Sequence, residues 1–517
     1  MKTLSAENAP LLRLAICLIA GIVVGEYVSL PMPLLPLFVG VVAVALLLWK
    51  WPRGQSVAIA VCFVVLGALL MERQKSQSRV QWPDGEVQYE AVVLSDPIEK
   101  PKTMAVDILL LKNQRKLKCY LYKDERSMGL RIGDGLRIQS HIQPNSEWRI
   151  GTLTSSSLLT LGNSSKLDCS RLIAAFDYRR YLEIHGFTGT TFVSSWKWQK
   201  VQISLKDLSR LERTKLRFLQ LRSRMLSRLR AGELSGDQYA VVAAMVLGDK
   251  SALTKELKET YSVTGASHVL ALSGLHLGII YALLSLLVVG RRWQMVSQLL
   301  IISSIWAFVF LVGMPVSVVR SAVMLSIYAL LSLGHRNKMS VNTLAFTAIV
   351  LLMVNPQSLF DVGFQMSFVA VFSILIFLPL FDGVFSPEYL QSHRIVKWVW
   401  GMVAVSCSAQ IGVAPLIAYY FGRFSTYFLL TNFIVIPAAT LILYLSLLVL
   451  IVPASMYLLI YITGLLNHIL TAIARIPGAS IEGLHPSPLQ VAMVYVVMVA
   501  LYLLILRLRR VVSPAQG

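Results

Sequence analysis

The sequence has little charge, few acidic residues and few cysteines. Charged residues make up 15% of its 517 positions, and 27 Asp and Glu stand against 48 Lys and Arg. Soluble domains carry charge on about a quarter of their residues. A chain that is 56% hydrophobic and so poor in charge is therefore predicted to be a membrane protein. Its five cysteines include no CxxC pair, which excludes zinc sites of that type.

Several catalytic motifs are also missing from the sequence. It has no GxxxxGK[ST] loop, and so no sign of an ATPase of its own. It has no HxHxDH run and no cluster of His and Asp at metal-ligand spacing, so we expect neither a metal nor another cofactor. Ser273 and His276 would share one helix face, but no nucleophile elbow and no orienting carboxylate accompany them. We therefore expect no enzymatic activity.

Long apolar runs are the main feature that is present. A transmembrane helix needs about 20 apolar residues, and about twelve runs approach this length. The first run is too long for a cleavable signal peptide, so we interpret it as a span. The predicted spans are Leu11–Leu30, Pro33–Trp49, Ser56–Met71, His268–Val289, Val296–Gly313, Pro315–Leu333, Val341–Val354, Gly363–Phe381, Val396–Tyr420, Phe428–Val452, Ser455–Arg475 and Leu489–Leu506.

Basic residues predict the orientation of these spans, because cytoplasmic loops are enriched in Lys and Arg. If the N-terminus is cytoplasmic, the short outer loops hold almost no basic residues except Arg423 and Arg475. The inner loops and the tail then hold Lys50, Arg53, Arg291, Arg292, Arg336, Lys338, Arg394, Lys397, Arg507, Arg509 and Arg510. Both termini are therefore predicted to be cytoplasmic, and the polar segment between the third and fourth spans extracytoplasmic.

The polar segment is predicted to form a small β-barrel. A helix is predicted at Ala174–Ile184, and turn signals such as Gly133-Asp134-Gly135 separate five strands. Five strands with one helix are the content of an OB-like barrel. The predicted strands are Val87–Leu94, Ala105–Leu111, Lys118–Tyr122, Leu136–Ile142 and Gly189–Val193. Cys119 and Cys169 lie in this segment, and an oxidising compartment predicts a disulfide between them.

Seven stretches, taken in order and with their spacing, resemble the ComEC family of competence proteins. They are LRIGDGL at Leu130–Leu136, FDYRRYLEIHGF at Phe176–Phe187, LGDKSALTKEL from Leu247, TGASHVLALSGLHLG from Thr264, GMPVSVVRSAVML from Gly313, NPQSLFDVGFQMSF from Asn355 and AYYFGRFSTYFLLTNFIVIPA from Ala418. The resemblance implies a channel in the bacterial cytoplasmic membrane that takes up single-stranded DNA during natural transformation.

The resemblance also implies partners. Membrane lipids would surround the channel, a DNA-delivering receptor would act outside, and a cytoplasmic motor or single-strand-binding protein would supply direction. Long family members carry a C-terminal metallo-β-lactamase-like domain, whereas this sequence resembles the short form, so any nuclease would be separate. The rival hypothesis is a transporter of a small molecule or lipid with a structural outer domain, which would predict pseudo-symmetric halves.

Polar side chains within the apolar spans are the candidates for the passage, because such residues are costly in a membrane and mark pathways. The predicted topology places them mostly in the outer half of the bundle. They are His268, Ser273, His276, Arg320, Asp361, Gln365, Gln410, Arg423 and Asn432. The alternatives are hydrogen bonds between helices, an internal ion pair of Arg320 with Asp361, and packed, neutral histidines.

The outer segment is strongly basic, with 29 Lys and Arg against 15 Asp and Glu in residues 73–231. Residues 201–231 combine apolar and basic positions at helical spacing, which predicts an amphipathic helix on anionic lipid or a collar that guides DNA. The DNA-binding candidates are Lys118, Lys123, Arg131, Arg137 and Arg149. Bases could stack on Tyr120, Tyr122, Trp148, Trp196 and Trp198, unless these pack in the core.

Together these patterns predict four regions. They are a three-span N-terminal region at 1–72, the OB-like domain at 73–200, basic juxtamembrane helices at 201–235 and a competence-type transmembrane channel domain at 236–517.

Overall fold

A computed structural model describes most of the chain in two compact units. It describes residues 9–28, 34–78, 82–145, 178–231, 236–287, 294–333, 341–449 and 451–512, with Val80 and Leu234 in addition and without positions 205 and 207. One unit holds the chain up to Leu234 together with Ser273–Phe364. The other holds Ser235–Leu272 and the chain from Gln365 onwards.

Helices dominate both units. The described helices are α1 Pro10–Tyr27, α2 Leu34–Leu47, α3 Pro52–Ser78, α4 Glu125–Met128, α5 Tyr178–Ile184, α6 Arg210–Ala231, α7 Gly236–Leu247, α8 Lys255–Val263, α9 Ser267–Leu270, α10 Gly274–Leu287, α11 Gln294–Leu311, α12 Val316–Leu333, α13 Val341–Val354, α14 Val362–Phe381, α15 Pro387–Ser392, α16 Arg394–Phe421, α17 Phe428–Val449, α18 Ser455–Ala474 and α19 Pro488–Val512. Twelve of them match the twelve predicted spans.

Seven of the described helices, α1, α3, α14, α16, α17, α18 and α19, are long and apolar enough to cross a membrane. The other five that match predicted spans are shorter apolar helices. The chain is therefore a multi-pass membrane protein, as the apolar runs predict. α1 packs against α3 through Gly21 and Gly67, since a Cβ on Gly21 would lie 1.9 Å from the Val64 carbonyl oxygen and a Cβ on Gly67 would lie 2.4 Å from the Leu18 carbonyl oxygen. Small residues allow this close approach of two backbones.

The predicted fourth span is wrong at its start. The chain forms the short helix α9, becomes extended at Ala271 and begins α10 only at Gly274. His268 therefore lies outside the long helix. The side chain of His276 reaches back to the Ser273 backbone N–H, with Nδ1 accepting at 3.3 Å. This resembles the reciprocal bonding of a helix N-cap and explains a helix start within an apolar run.

The predicted OB-like barrel is confirmed in the first unit. Its strands are β1 Glu86–Val93, β2 Ile98–Glu99, β3 Thr103–Leu110, β4 Lys116–Tyr122, β5 Gly135–Pro144, β6 Phe187–Val193 and β7 Trp198–Val201. Strands β1, β3, β4, β6 and β5 pair in this order, and β5 pairs with β1 to close the barrel. In this closed barrel β4 and β6 are parallel, and the other pairs are antiparallel. Alternate side chains fill the interior, among them Ile108, Leu117 and Leu136.

The second unit contains one buried helix that the apolar runs do not predict. α7 has only 12 residues, and every side chain from Tyr239 to Leu247 is buried. It packs against α17 and α18. A small antiparallel pair, β8 Arg423–Ser425 with β9 Ser480–Glu482, links the loop before α17 to the loop after α18.

Candidate functional site

Arg320 is the one charged side chain among the buried polar residues that the structure describes. Arg320 lies in the second turn of α12 and is only 4% exposed. Its Nη2 donates to the Gly363 carbonyl oxygen at 2.8 Å, and its Nη1 lies 3.7 Å from Asp361 Oδ1. Its Nε and Nη1 have no hydrogen-bond partner among the residues that the structure describes. Two buried donors of the guanidinium are therefore left without a hydrogen-bond acceptor among the described residues, although Nη1 lies within ion-pair distance of Asp361.

Asp361 is held in place independently of Arg320. Its Oδ1 accepts the Phe364 backbone N–H at 2.8 Å, which caps the start of α14. The expected ion pair with Arg320 is present, but 3.7 Å is long for a charge-assisted hydrogen bond. A Cβ on Gly363 would lie 2.9 Å from Asp361 Oδ1 and 3.4 Å from Arg320 Nη2. The pair therefore depends on glycine at this position.

The start of α10 lies beside the same helix as Arg320. A Cβ on Gly274 would come within 2.9 Å of the Ser321 hydroxyl. Ser273 Oγ and His276 Nδ1 are 3.1 Å apart, and His276 is fully buried. The structure thus brings Ser273 and His276 to the α12 segment that carries Arg320.

Helix α5 connects the barrel to the turn that leads to Asp361. Arg180 forms an ion pair of 2.8 Å with Glu26 and lies over the Phe360 ring, 4.1 Å from its centroid. Asn355 Nδ2 donates to the Ile184 carbonyl oxygen at 3.3 Å. Pro356–Phe360 form a 3-10 helix directly before Asp361. The barrel and the Arg320 site are therefore joined by a short chain of contacts.

The outer surface of β4 and β6 carries stacked aromatic rings. Tyr120 and Phe192 are stacked with centroids 4.9 Å apart and planes 15° apart. The Tyr120 and Tyr178 hydroxyls are 3.0 Å apart, and the Tyr178 ring stacks on Tyr181. Phe192 is 53% exposed, so one face of its ring is available. We call Tyr120, Phe192, Tyr178 and Tyr181 the aromatic face.

Lys100 adds positive charge to the aromatic face. Its Nζ lies 4.7 Å from the centroid of the Tyr120 ring. Burial lowers the pKa of Lys100, and the nearby Lys118 ammonium lowers it further. A cation over a ring beside an exposed aromatic surface is an arrangement suited to a base and its phosphate.

The aromatic candidates from the sequence separate into three groups. Trp196 is 80% exposed and Tyr122 is also exposed. Trp198 packs in the barrel core, and Tyr120 is buried beneath Phe192, as the packing alternative expects. Trp148 lies outside the described residues.

Phe192, Tyr178 and Tyr181 are not among the candidates that the sequence predicts. The alternation of β6 places Phe192 on the outer surface, and the spacing of the tyrosines at i and i+3 places them on one face of α5. Both signals are present in the sequence.

Most of the basic candidates on the barrel are locally neutralised. Lys118 pairs with Asp107 at 2.7 Å, Arg137 pairs with Glu90 at 2.8 Å, and Lys123 pairs with Glu99. Arg131 is exposed and forms no ion pair within the described ranges, and Arg149 lies outside them. The barrel therefore offers fewer free cations than its composition indicates.

The candidates in the second unit are mostly engaged in hydrogen bonds within it. Arg423 pairs with Glu259 at 2.8 Å, lies 3.9 Å from Glu482 and donates to the Ser262 hydroxyl. Its charge is balanced by two carboxylates. Gln365 Oε1 accepts from the Tyr420 hydroxyl, and Asn432 donates to the Ser406 hydroxyl. His268 is exposed, with its Nδ1 3.0 Å from the Gly265 carbonyl oxygen. Gln410 is half-buried.

Cys119 is a free cysteine in the core of the barrel. Its thiol is fully buried, and burial raises its pKa. Cys169 lies outside the described residues, so the disulfide stays a prediction.

Comparison with known proteins places this arrangement in a family. Residues 245–508, about half of the chain, match the Competence protein family. The chain is 29% identical to ComE operon protein 3 of Bacillus subtilis (strain 168) over 328 residues, which are 61% of this chain and 39% of that protein. It is 28% identical to an uncharacterized protein of Aquifex aeolicus (strain VF5) over 44% of this chain and 49% of that protein.

A further relative is the uncharacterized protein YcaI of Escherichia coli (strain K12), 23% identical over 39% of this chain and 28% of that protein. The chain thus matches less than half the length of each of these relatives. No solved structure matches it significantly. The family match covers the second unit almost entirely and includes Arg320 and Asp361. The chain belongs to the Competence protein family.

Proposed function

We propose that the protein carries single-stranded DNA across the cytoplasmic membrane, with the barrel on the outer side. The buried Arg320 guanidinium supports this role most directly, because its Nε and Nη1 have no hydrogen-bond acceptor among the described residues. A buried charge with incomplete pairing is costly, and within a membrane such groups mark pathways. The positive charge and planar donor geometry of a guanidinium are complementary to the oxygens of a phosphate.

Asp361 gives the contact a transient character. It orients the guanidinium while no strand is present, and its negative charge opposes lasting occupancy by a phosphodiester. A strand must enter such a site and also leave it, so a weak, repeated contact is more useful than a tight one. The apolar remainder of the helices would close the passage by excluding water when no strand is present.

The aromatic face supports a single strand over a duplex. Aromatic rings bind bases by stacking, which requires bases that are not paired in a helix. Phe192 presents one ring face, and Lys100 lies above the adjacent ring of Tyr120. A receptor would deliver the strand outside, and a cytoplasmic motor or single-strand-binding protein would supply direction.

The test replaces Arg320 in a transformable host in which this chain serves as the DNA channel. Arg320→Gln is expected to lower uptake of labelled DNA roughly ten- to hundred-fold, the value of a charge-assisted hydrogen bond. Arg320→Lys is expected to retain part of the uptake. Arg475→Gln removes an exposed arginine and is the control, with uptake unchanged.

Membrane levels of each variant separate function from folding. If Arg320→Gln accumulates normally and takes up DNA normally, the proposed role is refuted. If it fails to accumulate, the double variant Arg320→Gln with Asp361→Asn removes the unpaired carboxylate and is expected to restore the level. Restored uptake in that double variant would show that Arg320 is only structural.

A further inference from the structure

The basic helix α6 has three distinct sides. One side packs on the barrel, where Leu216 and Leu219 of the helix, with Leu208 just before it, join a buried cluster with Val92, Leu94, Leu109 and Ile132. Gln220 Nε2 also donates to the Ile132 carbonyl oxygen at 3.3 Å. These leucines are therefore covered by protein and do not face lipid.

A second side of α6 contacts the membrane helix α11. The rings of Phe218 and Phe310 are stacked with centroids 5.7 Å apart, at the last turn of α11. A Cβ on Gly313, just after α11, would lie 3.1 Å from Leu219 Cδ2. α6 therefore passes across the C-terminal end of the apolar helix α11.

The third side of α6 is exposed and basic. Four of its arginines recur at spacings of seven, seven and four residues along one helix face and span about 27 Å at 1.5 Å per residue. They form no ion pair with any residue in the described part of the chain, and the helix has only one acidic residue, the half-buried Glu212. These are Arg210, Arg217, Arg224 and Arg228, which we call the arginine stripe.

Two exposed leucines accompany the arginine stripe. Leu211 is 56% exposed and Leu221 is 45% exposed. A surface that binds only phosphates in water gains nothing from exposed leucines. At the boundary between lipid headgroups and acyl chains, both kinds of side chain find partners, since arginine can extend its head to the phosphates.

We infer that the arginine stripe docks on anionic phospholipid headgroups and seats the barrel against the membrane surface. Charge complementarity and the contact of α6 with the end of α11 select this partner. Each cation near an anionic surface strengthens binding about five-fold. The stripe would thereby fix the height of the aromatic face above the bilayer.

The test uses the purified full chain in neutral detergent and measures its thermal unfolding midpoint. Phosphatidylglycerol in mixed micelles is expected to raise the midpoint more than phosphatidylcholine does. A variant with all four stripe arginines changed to Gln is expected to lose most of this difference, and Arg217→Gln alone to weaken the apparent lipid affinity about five-fold. The matched control changes four exposed basic residues elsewhere, Lys102, Lys112, Arg131 and Lys206, to Gln, and is expected to respond as the wild type does.

Three results would overturn the inference. The first is an equal response of the wild type to both lipids, and the second is a full phosphatidylglycerol response in the four-Gln variant. The third is a variant with Lys at all four positions that loses the response, since it keeps the charge. A short single-stranded oligonucleotide at low salt tests the other partner. If the four-Gln variant loses oligonucleotide binding but keeps the phosphatidylglycerol response, the arginine stripe binds DNA and not lipid.

Discussion

Replacing Phe192 with Ala tests the aromatic face most simply. Phe192 stacks on Tyr120 with one ring face and is 53% exposed, so it offers one stacking position to one base. Truncating an aromatic ring that stacks on a base costs about 1–3 kcal/mol. This corresponds to an increase of roughly 5- to 150-fold in the dissociation constant for a short single strand.

Fluorescence anisotropy of a labelled oligothymidylate with the detergent-solubilised full chain measures this change. Phe192→Tyr keeps the ring and is expected to bind as the wild type does, whereas Phe192→Leu is expected to bind like the Ala variant. Stacking depends little on salt, while phosphate contacts weaken steeply as salt rises. The ratio of the Ala variant to the wild type should therefore persist at higher salt. A ratio within two-fold of unity at every salt concentration would refute the role of the aromatic face.

Three further predictions concern stability and reactivity. Burial, together with the Lys116 ammonium, lowers the pKa of Lys215 to about 8. The folded state therefore holds fewer protons than the unfolded state between about pH 8 and 10.5, so the free energy of unfolding should rise with pH in that window. Lys215→Met should remove this rise and stabilise the protein by on the order of 2 kcal/mol at pH 7. An unchanged pH profile of thermal unfolding in the variant would contradict this. Gly363→Ala should place a methyl group against Asp361 and lower uptake without changing Arg320, and normal uptake together with an unchanged unfolding midpoint would contradict the tight packing. Cys119 should resist alkylation in the native protein and react after unfolding, as measured by mass spectrometry, and rapid native labelling would contradict its burial.

The sequence predicts the barrel well because its physical signals are local. Alternating apolar residues and glycine turns place β1, β3, β4, β5 and β6 within about three residues of their observed ends. β2 and β7 have only two and four residues, too few for alternation to be recognised. Their positions depend on pairing with β3 and β5, which is a tertiary property.

The break between α9 and α10 was not predictable from hydropathy. Ala271 and Leu272 continue the apolar run, so a search for apolar length passes over the extended backbone there. The local sequence signal for a helix start here is the Ser-x-x-His pattern of Ser273 and His276, whose side chain accepts the Ser273 N–H. This pattern indicates a helix start less strongly than the Ser-x-x-Glu pattern of a capping box.

The pairing of Arg320 with Asp361 could be anticipated because an isolated charge in an apolar span needs a partner. The long distance between the two side chains could not be anticipated, since it depends on the hydrogen bond from the Phe364 N–H to Asp361 and on the space beside Gly363. Similarly, the number of free cations on the barrel depends on cross-strand pairs such as Lys118 with Asp107. Composition counts charges but does not pair them.

Transport by the purified chain tests most directly the proposal that it passes a single strand through a membrane and that Arg320 contacts the strand. Purified protein reconstituted into liposomes, with single-strand-binding protein inside as a trap, allows a direct measurement of labelled DNA protected from external nuclease. The wild type is expected to protect single-stranded but not duplex DNA, and Arg320→Gln to protect roughly ten- to hundred-fold less. No protection by the wild-type protein would contradict the proposed channel, and equal protection by Arg320→Gln would contradict the contact of Arg320 with the strand.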